Sequence, residues 1–126
     1  MSDKPDQMIF FKINVSDIDA AEAFYTEALG MKRQREVTDP AFIERMMTSP
    51  GGSFTLVLFH WTKPRDLDQG NAWGPIGYAV EDLDGAIARI EKAGGSVKRG
   101  PFEFGGAKLI FMASPDGHEI ELIQRG

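Results

Sequence analysis

The chain has no cysteine, which excludes disulfides, thiolate catalysis and cysteine-ligated metal sites and fits a reducing compartment, so a cytoplasmic location is expected. No apolar run approaches membrane-spanning length, and Met1 to Gln7 is polar with no apolar signal core. Membrane is therefore not an expected partner. Basic residues are the minority: 14 Lys and Arg against 19 Asp and Glu give a net charge of −5, with both signs interspersed and no basic stripe for nucleic acid. What remains is an ordinary globular composition, 42% hydrophobic and 26% charged, in 126 residues. That length suits one domain, 1–126, with a core that needs no staples.

What the chain does have is an internal repeat. Val15-Ser16-Asp17-Ile18-Asp19 lies over Val80-Glu81-Asp82-Leu83-Asp84 at an offset of 65, and Gly30 falls on Gly95. In each half, alternating apolar residues precede a helical pattern and three further strands follow. Met8 to Val15 reads as a strand. Ser16 or Asp17 caps a helix carrying Ile18, Ala21, Tyr25 and Ala28, which stops at Gly30. Met31 to Val37, Phe42 to Thr48 and Phe54 to Trp61 complete the first unit. The second holds a strand over Gly74 to Val80, a helix with Leu83, Ala86, Ile87 and Ile90, and strands over Ser96 to Phe104, Lys108 to Ala113 and His118 to Gln124. The fold class is α+β: two tandem βαβββ modules, about 8–61 and 74–124, joined by a polar linker over 62–73.

Helices must cover the apolar sheet faces, because an uncovered face costs about 25 cal/mol per Å². Ile9, Phe11, Ile13 and Val15 then face the helix, and Phe10, Lys12 and Asn14 line a cleft. The same alternation leaves Pro75, Gly77 and Ala79 uncovered, and the 65-residue offset lays Leu56 over Glu121.

Val15-x-Asp17, Phe24-Tyr25, Leu29-Gly30, Val80-x-Asp82-Leu83, Gly94-Gly95 and above all Ser114-Pro115-Asp116-Gly117-His118-Glu119-Ile120-Glu121-Leu122 carry a resemblance to the vicinal oxygen chelate superfamily. That superfamily includes glyoxalase I, bleomycin-resistance proteins and extradiol dioxygenases. The resemblance implies the glyoxalase-like fold and a homodimer. It also implies metal ligands on the first and last strand of each unit, at Phe10, Leu56, Pro75 and Glu121. Only Glu121 is a donor there, whereas a catalytic divalent site normally takes three protein ligands and an open position. No metal or other cofactor is therefore expected. Glu119 shares the parity of Glu121, so a displaced site needs both and an outside donor.

The candidate catalytic residues are Glu121, as base or hydrogen-bond acceptor, and Lys12, as anion contact or enolate stabiliser. Alternatively the two form a structural ion pair, or Lys12 lays its stem over Phe10. The candidate ligand-binding residues are Phe10, Asn14, Leu56, Leu58, His60, Pro75 and Glu119. Asn14 equally suits helix capping, and His60 a surface strand end. Trp61 and Trp73 suit a pocket wall, a dimer contact or an anchor for the linker. Gly105-Gly106 reads as a hairpin turn, since no helix follows to bind an anion. Three functions fit: metal-free binding of a small organic molecule, as in the bleomycin-resistance branch; a metal-independent isomerase, lyase or epimerase; and, last, a divalent-metal lactoylglutathione lyase or dioxygenase.

Overall fold

The computed structural model describes residues 4–126. The order is β1 (Phe10–Asn14), α1 (Ile18–Leu29), β2 (Lys32–Thr38), β3 (Phe42–Thr48), β4 (Thr55–Trp61), β5 (Ile76–Ala79), α2 (Leu83–Lys92), β6 (Ser96–Phe104), β7 (Ala107–Ala113) and β8 (Glu119–Gln124). This is βαβββ twice. The strands form two four-stranded sheets, β1-β4-β3-β2 and β5-β8-β7-β6. In each, the first and last strand of the module pair in parallel and the rest are antiparallel.

The helices begin alike. Asp17 accepts from Ala20 N at 3.0 Å, and Asp82, its repeat equivalent, accepts from Gly85 N at 3.2 Å, so each satisfies an otherwise orphaned helix N–H. They end differently: α1 caps on Gly30, whereas α2 caps on Ala93 and is followed by Gly94 at a φ of 103° and by Gly95. Gly30 takes a left-handed φ of 67° and returns its N–H to Thr26 O. At Gly95 the constraint is space, since a Cβ would stand 2.5 Å from Ile90 Cγ2.

Both helices lie on the inner faces of the sheets and pack against each other, so one apolar cluster runs through both modules. Leu56, Leu58, Ile120 and Leu122 are among its most enclosed strand residues, each at 1% exposure or less. Burying such a side chain contributes about 2 kcal/mol. Polar contacts add to this join. Arg89 Nε donates to Ala28 O at 3.2 Å, and the Asp116 carboxylate accepts from Ser16 Oγ at 2.5 Å and Ser16 N at 3.1 Å.

Two strand starts differ from the sequence reading by two residues, and the other ends by one at most. Met8 and Ile9 fall outside β1 and are 85% and 64% exposed, because β4 begins pairing only at Phe10. Gly74 and Pro75 likewise precede β5, whose ladder with β8 starts at Ile76. No helix among the described residues is long and apolar enough to cross a membrane.

Candidate functional site

Each sheet has one face on the helical core and one face turned away from it. Register settles which residue lies on which. On the first sheet Lys12 is level with Val57 and Met46, and Asn14 with Phe59 and Glu44. Lys12 donates to Glu44 Oε1 at 2.5 Å, with its ammonium 4.9 Å above the Phe59 ring and 5.7 Å from the Phe10 ring. Phe59 in turn stacks on Phe42 at 5.0 Å and meets Trp61 edge-on at 4.8 Å. The open face therefore holds Phe10, Lys12 and Asn14, as expected, but with Val57 and Phe59.

Leu56, Leu58 and His60 are corrected. All three have the opposite parity and face the helical core. The two leucines belong to the shared cluster, and His60 Nδ1 lies 3.1 Å from Val15 O. Two physical facts explain the error. Leu56, Val57, Leu58 and Phe59 are apolar in succession, so alternation gives no parity. The repeat also slips by one residue in the last strand. Val15 N donates to Phe59 O and Val80 N to Ile123 O, which makes the offset 64 there, from Phe59 to Ile123. The structural equivalent of Glu121 is therefore Val57.

On the second sheet Glu121 lies where it was expected, level with Gly77 on β5 and Phe111 on β7 and opposite in parity to buried Ile120 and Leu122. Pro75 has the parity of Gly77. Glu119 accepts from Arg99 and lies 3.7 Å from Lys98 Nζ. Arg99 also stands 4.6 Å over the Phe111 ring. Glu121 is half-buried and makes no hydrogen bond or ion pair among the described residues. The ion pair envisaged between Lys12 and Glu121 is not formed, because Lys12 is held by Glu44 of its own sheet.

The structure gathers only some of the expected residues into a concavity. A groove of about 410 Å³ runs along β1 beneath the linker, lined by Lys12, Asn14 and Glu119 together with Arg65, Trp73 and Lys98. Phe10, Pro75 and Glu121 lie outside it. Trp73 was among the pocket-wall candidates, but the rest of the linker's contribution, Arg65 included, was missed, because its polarity matched a plain connector. The Arg65 guanidinium stacks 4.7 Å over Trp61, and Trp73 meets Phe11 edge-on at 5.8 Å. Aromatic residues at both ends of a polar linker were the available signal.

His118, which had no assigned role, bridges the modules. Its backbone N–H donates to Ser114 Oγ at 3.1 Å and its ring hydrogen-bonds the Asn14 carbonyl. Burial lowers its pKa below the ordinary value, outweighing nearby Asp116. Burial also pushes the Tyr25 and Tyr78 phenols well above theirs.

The donor chemistry at the family's metal positions can now be read on the corrected register. Phe10, Val57 and Pro75 offer carbon, and Glu121 alone offers oxygen. No group of three or more His, Asp or Glu side chains comes together among the described residues. These residues do not fit a divalent ion.

Two βαβββ modules on a shared helical core, each with one open sheet face, define the class of cleft-forming glyoxalase-like proteins. Residues 7–122 match the Glyoxalase/Bleomycin resistance protein/Dioxygenase superfamily, and the chain belongs to it. It is similar to the lactoylglutathione lyase of Salmonella typhimurium, 32% identical over 125 residues, which cover 94% of this chain and 92% of that one. A probable lactoylglutathione lyase of Vibrio cholerae is 36% identical over 120 residues, covering 89% and 86%. Among solved structures, the glyoxalase I of Leishmania major superposes with a TM-score of 0.80 at 27% identity, covering 95% of this chain and 87% of that one. These names belong to the activity that the sequence reading ranked last, and none of them supports bleomycin-type binding in particular.

Proposed function

We propose that the protein binds a small organic molecule without the divalent ion of the family's metal enzymes. The observation that carries this reading is the donor set: three of the four metal positions are carbon side chains, at Phe10, Val57 and Pro75. The cleft is completed by a second copy. In one chain Lys12 lines a concavity with Glu119 but not with Glu121. A two-fold partner would lay one copy's first sheet beside the other's second. Phe102 and Phe104 on β6 are 47% and 79% exposed, surface that a second copy would cover. Binding alone needs nothing more. If the site also turns over its ligand, Glu121 is the base and the partner copy supplies Lys12 as the oxyanion contact.

A lactoylglutathione lyase is the competing reading. What favours it is the shared name of relatives 32% and 36% identical over most of both chains. Assaying that lyase reaction with and without added nickel or zinc, on wild type and Glu121→Gln, separates the readings. No turnover above background under either condition is expected. Metal-dependent turnover that disappears in Glu121→Gln would establish the lyase, and metal-independent turnover lost in the same variant would establish the acid–base enzyme.

A further inference from the structure

The groove beneath the linker shares Lys12 and Asn14 with the open face of the first sheet, so it extends the same cleft sideways. Its charges are mostly spent within the protein. Lys12 is committed to Glu44, Lys98 and Arg99 converge on Glu119, and Asp68 accepts from Gly70 N at 3.0 Å. Arg65 is different. Its guanidinium forms no ion pair or hydrogen bond among the described residues, yet it is stacked over Trp61, with ring and guanidinium carbon 4.7 Å apart. A guanidinium seated on an indole keeps its in-plane N–H edge free, with its rotamers already restricted. That edge matches the two oxygens of a carboxylate. On the same groove wall Trp73 is 76% exposed while resting on Phe11, and Ile76 adds further apolar lining.

We propose that this groove holds an organic carboxylate, with Arg65 as the bidentate anchor for the acid and Trp73 as the wall for the apolar body. The proposal rests on the small-molecule reading above and narrows its ligand to one chemical class. Asp66 lines the same rim and pairs with nothing among the described residues, so a monoanion is favoured over a phosphate dianion.

The chain has two tryptophans, one beneath Arg65 and one on the groove wall, so its own fluorescence reports occupancy. Titration with 3-phenylpropionate is expected to give a saturable change, and 3-phenylpropionamide, the neutral isostere, to bind at least about tenfold more weakly. Arg65→Gln should lose at least about tenfold in affinity for the acid. Lys63→Gln, an exposed linker charge outside the groove, should lose none. Arg65→Lys keeps the charge but not the fork, and should fall between wild type and Arg65→Gln. No saturable binding of the acid, equal binding of acid and amide, or an unchanged affinity in Arg65→Gln overturns the proposal. Tighter binding of phenyl phosphate than of the carboxylate overturns the ligand class. Stoichiometric bound metal, by contrast, would strike the metal-free reading and leave the Arg65 comparison standing.

Discussion

On the first sheet the open face is furnished: Lys12 bridges Phe59 and Glu44, and Phe42, Phe59 and Trp61 pack ring against ring. On the second, Arg99 covers Phe111 and pairs with Glu119, but the edge strand β5 is bare. Gly77 and Ala79 present almost no side chain beside Glu121, and a Cβ added at Gly77 would meet nothing within 4 Å. The inner faces show no such contrast. Aligned through the equivalent hydrogen bonds of Val15 and Val80, Leu58 answers Leu122 and Leu56 answers Ile120, all at 1% exposure or less. The shared core holds duplicated positions alike, since a lost methylene there leaves a cavity. The faces turned from the helices are less alike: Val57, itself only 2% exposed, stands where the other half has half-buried Glu121.

The sharpest challenge to that contrast is a carboxylate placed on either side of β4. Leu56→Glu would bury an unpaired charge, costing several kcal/mol of a total of about 5–15, and little folded protein should be recovered. Val57→Glu should also cost stability, since Val57 is itself only 2% exposed, but less than Leu56→Glu, because Lys12 lies level with it on the neighbouring strand. Urea midpoints decide it, and equal damage from both would undo the corrected register. Next in size, Leu58→Ala and Leu122→Ala should each cost about 2–5 kcal/mol within a single unfolding transition. Two separate transitions would mean that the modules do not share one core.

Titration of the two tyrosines probes the same core spectroscopically. Burial raises Tyr25, on the first module's helix, and Tyr78, on the second module's β5. The folded protein should therefore show no tyrosinate absorbance near pH 10, the ordinary phenol range, until it unfolds. The smallest effect concerns the join at His118. Its lowered pKa means that the unfolded chain takes up the proton first, so this contribution is full above about pH 6.5 and declines as pH falls below it. Between pH 7 and 5.5, Tm should fall less steeply in His118→Asn than in wild type.

Much of the fold was legible because its signals are local. The Ser16 or Asp17 cap, the Gly30 stop and the alternation Phe11-Ile13-Val15 each act within a few residues. The β4 parity was not legible. Leu56 to Phe59 is apolar on both faces, and the one-residue slip between offsets of 65 and 64 becomes visible only once the parallel ladders are paired. The Lys12 partner was hidden for a related reason: Glu44 reaches it across β4, which requires knowing two registers together. Arg65 sits in a linker without periodicity, and its place over Trp61 is purely tertiary. Glu121 was found because the Ser114 to Leu122 motif marks its position regardless of packing.

The central claim is that carbon side chains at Phe10, Val57 and Pro75 leave Glu121 without the company a divalent ion requires. Elemental analysis of protein purified without chelator tests it most directly. Well under 0.1 equivalents of nickel, zinc, iron or manganese per chain is expected, since a lone carboxylate cannot hold such an ion through purification. Near-stoichiometric metal, lost in Glu121→Gln, would contradict it.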